Sequence, residues 1–475
     1  MNISKNNNSN NYNIVNKIIT TAKDAQAIVN EYSQDEIDKL ILAIAWEVIK
    51  PETNKFLSEI AVASTGLGNV ESKIAKNRRK TIGLLRDLQN IKTVGIISEC
   101  PDKGIIEIAR PVGVVAAIVP STHPVATPLN KVINAIKCRN AIVIAPSPKG
   151  DKVCQELVKL INIAIQRVGG PIGIVQKLPS PISKEVTSEL TRQADLVIAT
   201  GSQNNVLRAL QSGTPTLGVG VGNVPSIIDE TADIKCALAK IKESKTFDYA
   251  TSCSSENSLI VLDSIYNDVI KAFDNIAGVL LTNAEKQKLQ DVMWDENQII
   301  NRNIVAKSAA TIANIVGLDN DKFTNADILL VAETKVGSDY PFSKEKLSPI
   351  LTIYKVKDFN EAISLTKKIL INQGQGHSVS IHSSNQENIL RLGLELPVCR
   401  VIVNQAHCFA TGGSFDNDMP FSLSIGCGTW GNNVIDTNIN YKSYLNITKI
   451  VKTIKVNKPS EESIFGTYWQ KYDCK

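Results

Sequence analysis

The chain has 475 residues, 43% of them hydrophobic and 21% charged, with a formal net charge of +5. That length implies two or three packed domains, and the composition excludes a disordered chain. Lys and Arg are interspersed with acids, so there is no clustered basic footprint for nucleic acid.

Residues 1–13, rich in Asn and Ser, read as a disordered polar tail and lack the pattern of a secretory leader. Residues 14–31 and 35–48 carry apolar side chains at helical spacing, which predicts two amphipathic helices packed on a core. Docking of the first to a protein shell is the alternative. From residue 104 the pattern changes. A weakly alternating stretch, 104–109, leads into the most apolar run, 112–119, bounded by Pro111 and Pro120. That run is too short to span a bilayer and reads as a buried strand, so the protein is expected to be soluble, with no membrane partner.

A helix over 129–136, a strand over 141–145, a helix over 152–168, and strands over 173–178 and 196–200 follow, the last opening into a helix near Gln203. Strands alternating with helices imply an α/β chain with a parallel sheet and crossover helices. A second series starts after Phe247: a strand over 258–262, helices over 265–276, 284–292 and 359–371, and a strand over 401–404. Residues 444–456 alternate like an edge strand, the kind that pairs with a partner subunit. The nine cysteines are odd in number and show no Cys-x-x-Cys spacing, which favours free thiols in the cytoplasm over a disulfide framework. The four histidines are too dispersed for a metal site.

Cys253 lies among small polar residues, Thr251-Ser-Cys-Ser-Ser-Glu-Asn257, between a helix and a strand, where substrate could approach it. Cys138, Cys154 and Cys236 fall on helical patterns and read as inert. Gly201 and Ser202 end a strand and open a helix whose free N–H groups suit a pyrophosphate. Gly218, Gly220 and Gly222, at alternate positions, allow close backbone approach to another segment or a ligand.

In order, residues 111–114 (ProValGlyVal), 200–202 (ThrGlySer), 220–225 (GlyValGlyAsnValPro), 252–257 (SerCysSerSerGluAsn), 345–349 (GluLysLeuSerPro), 376–378 (GlyHisSer) and 426–431 (GlyCysGlyThrTrpGly) resemble the aldehyde dehydrogenase superfamily. More narrowly they are similar to its CoA-acylating branch, and within it most similar to acylating sulfoacetaldehyde dehydrogenases. The resemblance implies a Rossmann-like cofactor domain (residues 14–97 and 112–244), an α/β catalytic domain (245–442), and a β oligomerisation hairpin (98–111 with 443–457) that makes a homodimer or homotetramer. It implies Cys253 as nucleophile, with Glu345 on the nicotinamide ribose and His377 near coenzyme A or nicotinamide. Ser121, Ser147, Lys149, Gly201, Ser202, Gly220 and Gly222 are expected along the cofactor. His123 stands where many relatives place an oxyanion-holding asparagine. It reads either as that donor or as a structural histidine. Hydrolytic relatives carry a glutamate general base where this chain has Val219, so the thioacyl enzyme should await a thiol, coenzyme A. Near Lys149 no acid stands ready for an adenosine ribose, which leaves NADP and NAD both open. Asn404, Gln405, His407 and Ser414 either line the aldehyde tunnel or satisfy loop backbone. Sulfoacetaldehyde, acetaldehyde and other short aldehydes are the candidate substrates. The competing readings are a hydrolytic dehydrogenase, a glutamyl-phosphate reductase relative and a non-catalytic shell-associated protein.

Overall fold

The computed structural model describes residues 2–318 and 321–474, and for residues 2–9 the backbone alone. Four helices open the chain: α1 (Asn2–Asn30), α2 (Gln34–Ile49), α3 (Pro51–Thr65) and α4 (Val70–Leu88). Their ends follow from local chemistry. Ser33 and Glu36 form a reciprocal capping box at α2, Pro51 fills the first position of α3, and left-handed Gly66 closes it. Met1 of the polar tail expected over 1–13 lies outside the described residues, and α1 begins at Asn2. Val15, Ile19, Ala22, Ala25 and Val29 anchor its later turns in the core, and extending a nucleated helix by further residues is easy. That stripe is packed inside the protein and so is not an exposed docking face.

A hairpin of β1 (Gly95–Cys100) and β2 (Ile105–Pro111) leads into β3 (Val114–Val119), α5 (Ala126–Lys137), β4 (Ala141–Pro146) and α6 (Asp151–Arg167). With β5 (Val175–Lys177), β6 (Leu196–Ala199) and β7 (Thr216–Gly218) these build a five-stranded parallel sheet, ordered β5-β4-β3-β6-β7. β3 and β4 are buried at every position, as strands covered on both faces must be.

The chain then crosses into a second parallel sheet: β8 (Val224–Ile228), β9 (Glu256–Leu262), β10 (Gly278–Leu280), β11 (Ile328–Ala332), β12 (Ile350–Val356), β13 (Val379–His382) and β14 (Val401–Val403), ordered β10-β11-β12-β9-β8-β13-β14. The division expected at residue 245 lies between β8 and β9, and β8 pairs with β9 and β13. Its glycine-rich approach concealed a five-residue strand. β15 (Leu445–Val451) returns to pair antiparallel with β2, placing Ile447 opposite Ala109 and Val451 opposite Ile105. A last helix, Glu461–Tyr472, was not legible in the sequence. Among the described residues no helix is long and apolar enough to cross a membrane.

The two parallel sheets present opposite edges to one another. The loops after β3, β4, β6 and β7 meet the loops before β8, β9 and β12 around a single cavity of about 820 Å³.

Candidate active site

Ser121 and His123 enter this cavity after β3, Ser147 and Lys149 after β4, Gly201 and Ser202 after β6, and Val219, Gly220 and Gly222 after β7. From the other sheet come Cys253, ahead of β9, and Glu345, ahead of β12. The expected cofactor residues and the nucleophile are therefore brought together. Ser147 caps a short helical turn by accepting from Gly150 N–H, and Lys149 is exposed at the rim.

The glycines are required by contact. A Cβ at Gly222 would stand 2.0 Å from the Cys253 carbonyl oxygen, and one at Gly220 would stand 2.7 Å from Cys427 Sγ. The backbone thus slides directly under the nucleophile. Val219 lines the cavity almost fully buried, an apolar side chain that cannot accept a proton.

Cys253 Sγ lies 3.7 Å from His377 Nε2, and His377 Nδ1 lies 2.6 Å from Ser378 Oγ. With Nδ1–H donating to Ser378, Nε2 presents a lone pair to the thiol. Burial, then the charge of Arg400, hold His377 well below the usual histidine value, so it is a neutral acceptor. Burial, reinforced by Glu345, pushes the Cys253 thiol up to about 12. The resting nucleophile is a thiol with a base beside it.

His123 Nδ1 lies 3.1 Å from Lys76 Nζ, which donates to it. That bond leaves the proton on Nε2. Burial and the neighbouring Lys76 and Lys73 keep the ring uncharged, a neutral donor inside the cavity. Glu345 is half-buried, and its buried Oε1 has no hydrogen-bond partner. The flanking lysines turn elsewhere, Lys344 Nζ to Gln298 and Lys346 Nζ to the Phe342 carbonyl. Burial raises the Glu345 carboxyl to about 8. An orphaned acceptor in a dinucleotide-sized cleft fits a ribose hydroxyl.

Asn404 and His407 do not line this cavity. Asn404 follows the far end of β14 and closes a turn on Ser383, accepting from its N–H at 3.0 Å and donating to its carbonyl at 2.8 Å. His407 is buried behind the nucleophile loop, with Nδ1 2.7 Å from the Ser254 carbonyl and its backbone N–H donating to Glu256. Gln405 accepts from Asn417, and Ser414 accepts from Arg79. The donors of that segment satisfy the protein itself.

The sequence reading passed over α4. Lys73, Lys76 and Lys80 recur at helical spacing on one face of it, and all three are buried. Lys73 and Lys76 reach the fully buried Asp248 at 3.0 and 2.5 Å. Burial alone would raise the Asp248 carboxyl, but Lys76 and Lys73 outweigh it and hold it at about 2. The three-residue stripe was the available signal, because a one-sided row of lysines facing a core demands a buried acid.

Residues 5–421 match the model of the aldehyde dehydrogenase family. The chain is similar to the acylating sulfoacetaldehyde dehydrogenase of Cupriavidus necator, 53% identical across 95% of this chain and 92% of that one. It is 39% identical to the acylating sulfoacetaldehyde dehydrogenase of Bilophila wadsworthia, across 96% and 99% of the two chains. Its structure superposes on an acetylating aldehyde dehydrogenase from Geobacillus thermoglucosidasius with a TM-score of 0.91 at 36% identity, covering 95% and 99%.

Asp248→Ala strands two buried ammonium groups, and the expected loss of stability is about 3–5 kcal/mol, read from urea unfolding. Because the folded carboxyl titrates below its unfolded value, this contribution is complete above about pH 4 and disappears as pH falls through about 2. A loss under about 1 kcal/mol refutes the assignment.

Proposed function

The chain belongs to the aldehyde dehydrogenase family, and from that membership we propose that it oxidises sulfoacetaldehyde to sulfoacetyl-CoA with NAD(P)+ and coenzyme A. The observation that carries the acylating reading is the pair formed by Cys253 and His377, set beside a Val219 that cannot activate water. The names of the Cupriavidus and Bilophila relatives support the choice of aldehyde.

His377 Nε2 takes the thiol proton as Cys253 Sγ adds to the aldehyde carbon. The Cys253 backbone N–H and the Nε2–H of His123 hold the developing oxyanion. When bound, NAD(P)+ supplies the hydride acceptor, with its ribose on Glu345 and its phosphates near Ser121, Gly201 and Ser202. Ser147 and Lys149 face the adenosine end, where Lys149 accommodates a 2′-phosphate. Hydride loss leaves a thioester on Cys253. The thiol of coenzyme A adds to that carbonyl, the Cys253 thiolate departs, and acyl-CoA is released. His377 releases its first proton to solvent, takes the proton of the coenzyme A thiol as that thiol adds, and returns it to the departing Cys253 sulfur. Val219 lets the thioester persist until the thiol arrives.

The nine cysteines are all unpaired, which agrees with a cytoplasmic setting. The antiparallel sheet of β1, β2 and β15 exposes Ile96, Ile447, Ile450 and Val451, and the last helix exposes Ile464, Phe465, Tyr468 and Tyr472. This apolar surface supports self-association as a homodimer or homotetramer.

The test of the reaction is NAD(P)H formation from sulfoacetaldehyde, with acyl-CoA appearing only when coenzyme A is present. Free acid as the main product, or turnover retained by Cys253→Ala, overturns it. For His377→Ala the expected loss in kcat/KM at pH 7 is about 10²–10⁴-fold. The variant's rate should then climb about tenfold per pH unit from pH 7 to 9, since the thiol must ionise unaided, while the wild type stays flat. Parallel profiles refute the role. Light scattering should give a multiple of the 51.7 kDa chain mass, and a monomer at micromolar concentration refutes the interface.

A further inference from the structure

Beside the nucleophile the catalytic cavity narrows into a recess of about 20 Å³, room for a single oxygen atom, bounded by Arg79, Lys80, His123, Ser252 and two aromatic rings, Phe247 and Phe409. Lys80, His123 and Ser252 line both spaces, so the recess opens directly onto the site of addition.

Its charges are unbalanced. Lys73 and Lys76 share the single carboxylate of Asp248. Lys76 is saturated, since Nζ also donates to Thr251 at 3.1 Å and to His123. Lys80 and Arg79 have no such acid. Lys80 is buried, and among the described residues its Nζ has one acceptor, the Gly412 carbonyl at 2.6 Å. The Phe421 ring lies with its centroid 5.5 Å from Nζ, and two of the three ammonium protons have no hydrogen-bond acceptor. Arg79 donates from one terminal nitrogen to Ser414 Oγ at 2.7 Å, while its buried Nε has no partner. The Phe409 and Phe415 rings lie 5.0 and 5.2 Å from its guanidinium carbon and restrict its plane. The nearest acids are engaged: Asp87 pairs with Arg86 and accepts from Phe421 N–H, and Asp416 accepts from Ser414.

A buried ammonium with one hydrogen bond is costly to the fold unless something else completes it. Burial and the adjacent Arg79 push Lys80 down to about 7, and an anion placed beside it would favour its charged form. We propose that Lys80, assisted by Arg79, binds the anionic group of the substrate and makes this enzyme selective for a short aldehyde carrying a sulfonate. This rests on the reaction proposed above and names the residues that choose its substrate. A sulfonate is ionised at every physiological pH and offers three oxygens, so that from the catalytic cavity, which Lys80 also lines, it can take the spare Lys80 protons and place one oxygen in the recess beside Arg79. Methyl or ethyl groups in its place would leave both cations unsatisfied, so short neutral aldehydes are disfavoured by the site as well as less attracted to it.

The test uses the full-length enzyme with saturating coenzyme A and NADP+. kcat/KM is measured for sulfoacetaldehyde and propanal in the wild type, Lys80→Met and Lys80→Arg. Ethanesulfonate is tested as a competitive inhibitor of propanal oxidation. The expected result for Lys80→Met is a fall of about thirtyfold in the ratio of sulfoacetaldehyde to propanal kcat/KM, the scale of one charge-assisted hydrogen bond. Ethanesulfonate inhibition should weaken to a similar degree, and Lys80→Arg should restore much of both. A wild type that prefers sulfoacetaldehyde, with an unchanged ratio and unchanged inhibition in Lys80→Met, overturns the assignment of Lys80 alone. A rise confined to the KM for coenzyme A overturns it too, by giving these cations to the coenzyme phosphates. A wild type that prefers propanal and is not inhibited by ethanesulfonate overturns the substrate reading itself.

Discussion

The nucleophile stands where it does because one buried carboxylate fixes the turn before it. Asp248, Tyr249 and Ala250 are three consecutive residues with left-handed backbone, at φ of 51°, 52° and 57°. Such a run is unfavourable by roughly 1–2 kcal/mol per residue and persists only when its surroundings impose it. Lys73 and Lys76 on α4 impose it through the Asp248 side chain, and Thr251 Oγ1 donates to the same carboxylate at 2.9 Å. Gly68 is required at the start of this arrangement, because a Cβ there would overlap Asp248. An N-terminal helix thus sets the direction of a loop almost two hundred residues later. The same lysine row, one turn further on, reaches the recess beside the thiol.

Electrostatics around Cys253 are arranged to keep it protonated at rest. Lys245 and Glu256 are fully buried, and Glu345, which lines the same cavity as the thiol, is half-buried; burial pushes the two carboxyl groups up and the ammonium down. None of them offers the strong positive field that would stabilise a standing thiolate. In the proposed reaction ionisation falls to His377, whose orientation is set by Ser378 on one side and by Arg400, which donates to the His377 carbonyl at 2.9 Å, on the other. A thiol of this kind is slow to react with oxidants in passing, since the thiolate is the oxidisable form.

What could be read from the sequence was local. β3, β4 and β6 are unbroken apolar runs, and α6 and the helix Phe359–Asn372 show clear 3.6-residue periodicity, so their types and approximate limits were legible. Strands of three to five residues such as β7, β8 and β10 carry too few side chains to show a period, and β8 sits behind a glycine run that reads as loop. The cavity-lining residues followed from motif order, which fixes who stands on each strand-end loop. Asn404 and His407 belong to a segment whose Cys408 and Gly412 do line the cavity, but their own side chains turn to Ser383 and to the Ser254 carbonyl. Sequence proximity to a glycine motif cannot reveal which way a side chain turns. Lys73, Lys76 and Lys80 were visible only as charges, and charges on a helix ordinarily face water.

Val219 has a consequence for energy as well as for product. Aldehyde oxidation is strongly downhill, and an enzyme that lets water finish the reaction dissipates that drop in forming an inert acid. With an isopropyl group where a proton acceptor would stand, the acyl group remains at the level of a thioester and is handed from one sulfur to another with little change in free energy. The reaction stays close to reversible, so the direction of flow is set by the supply of acyl-CoA, aldehyde and reduced nucleotide, and the chain can serve either as a source of activated acyl groups or as a sink for reducing equivalents.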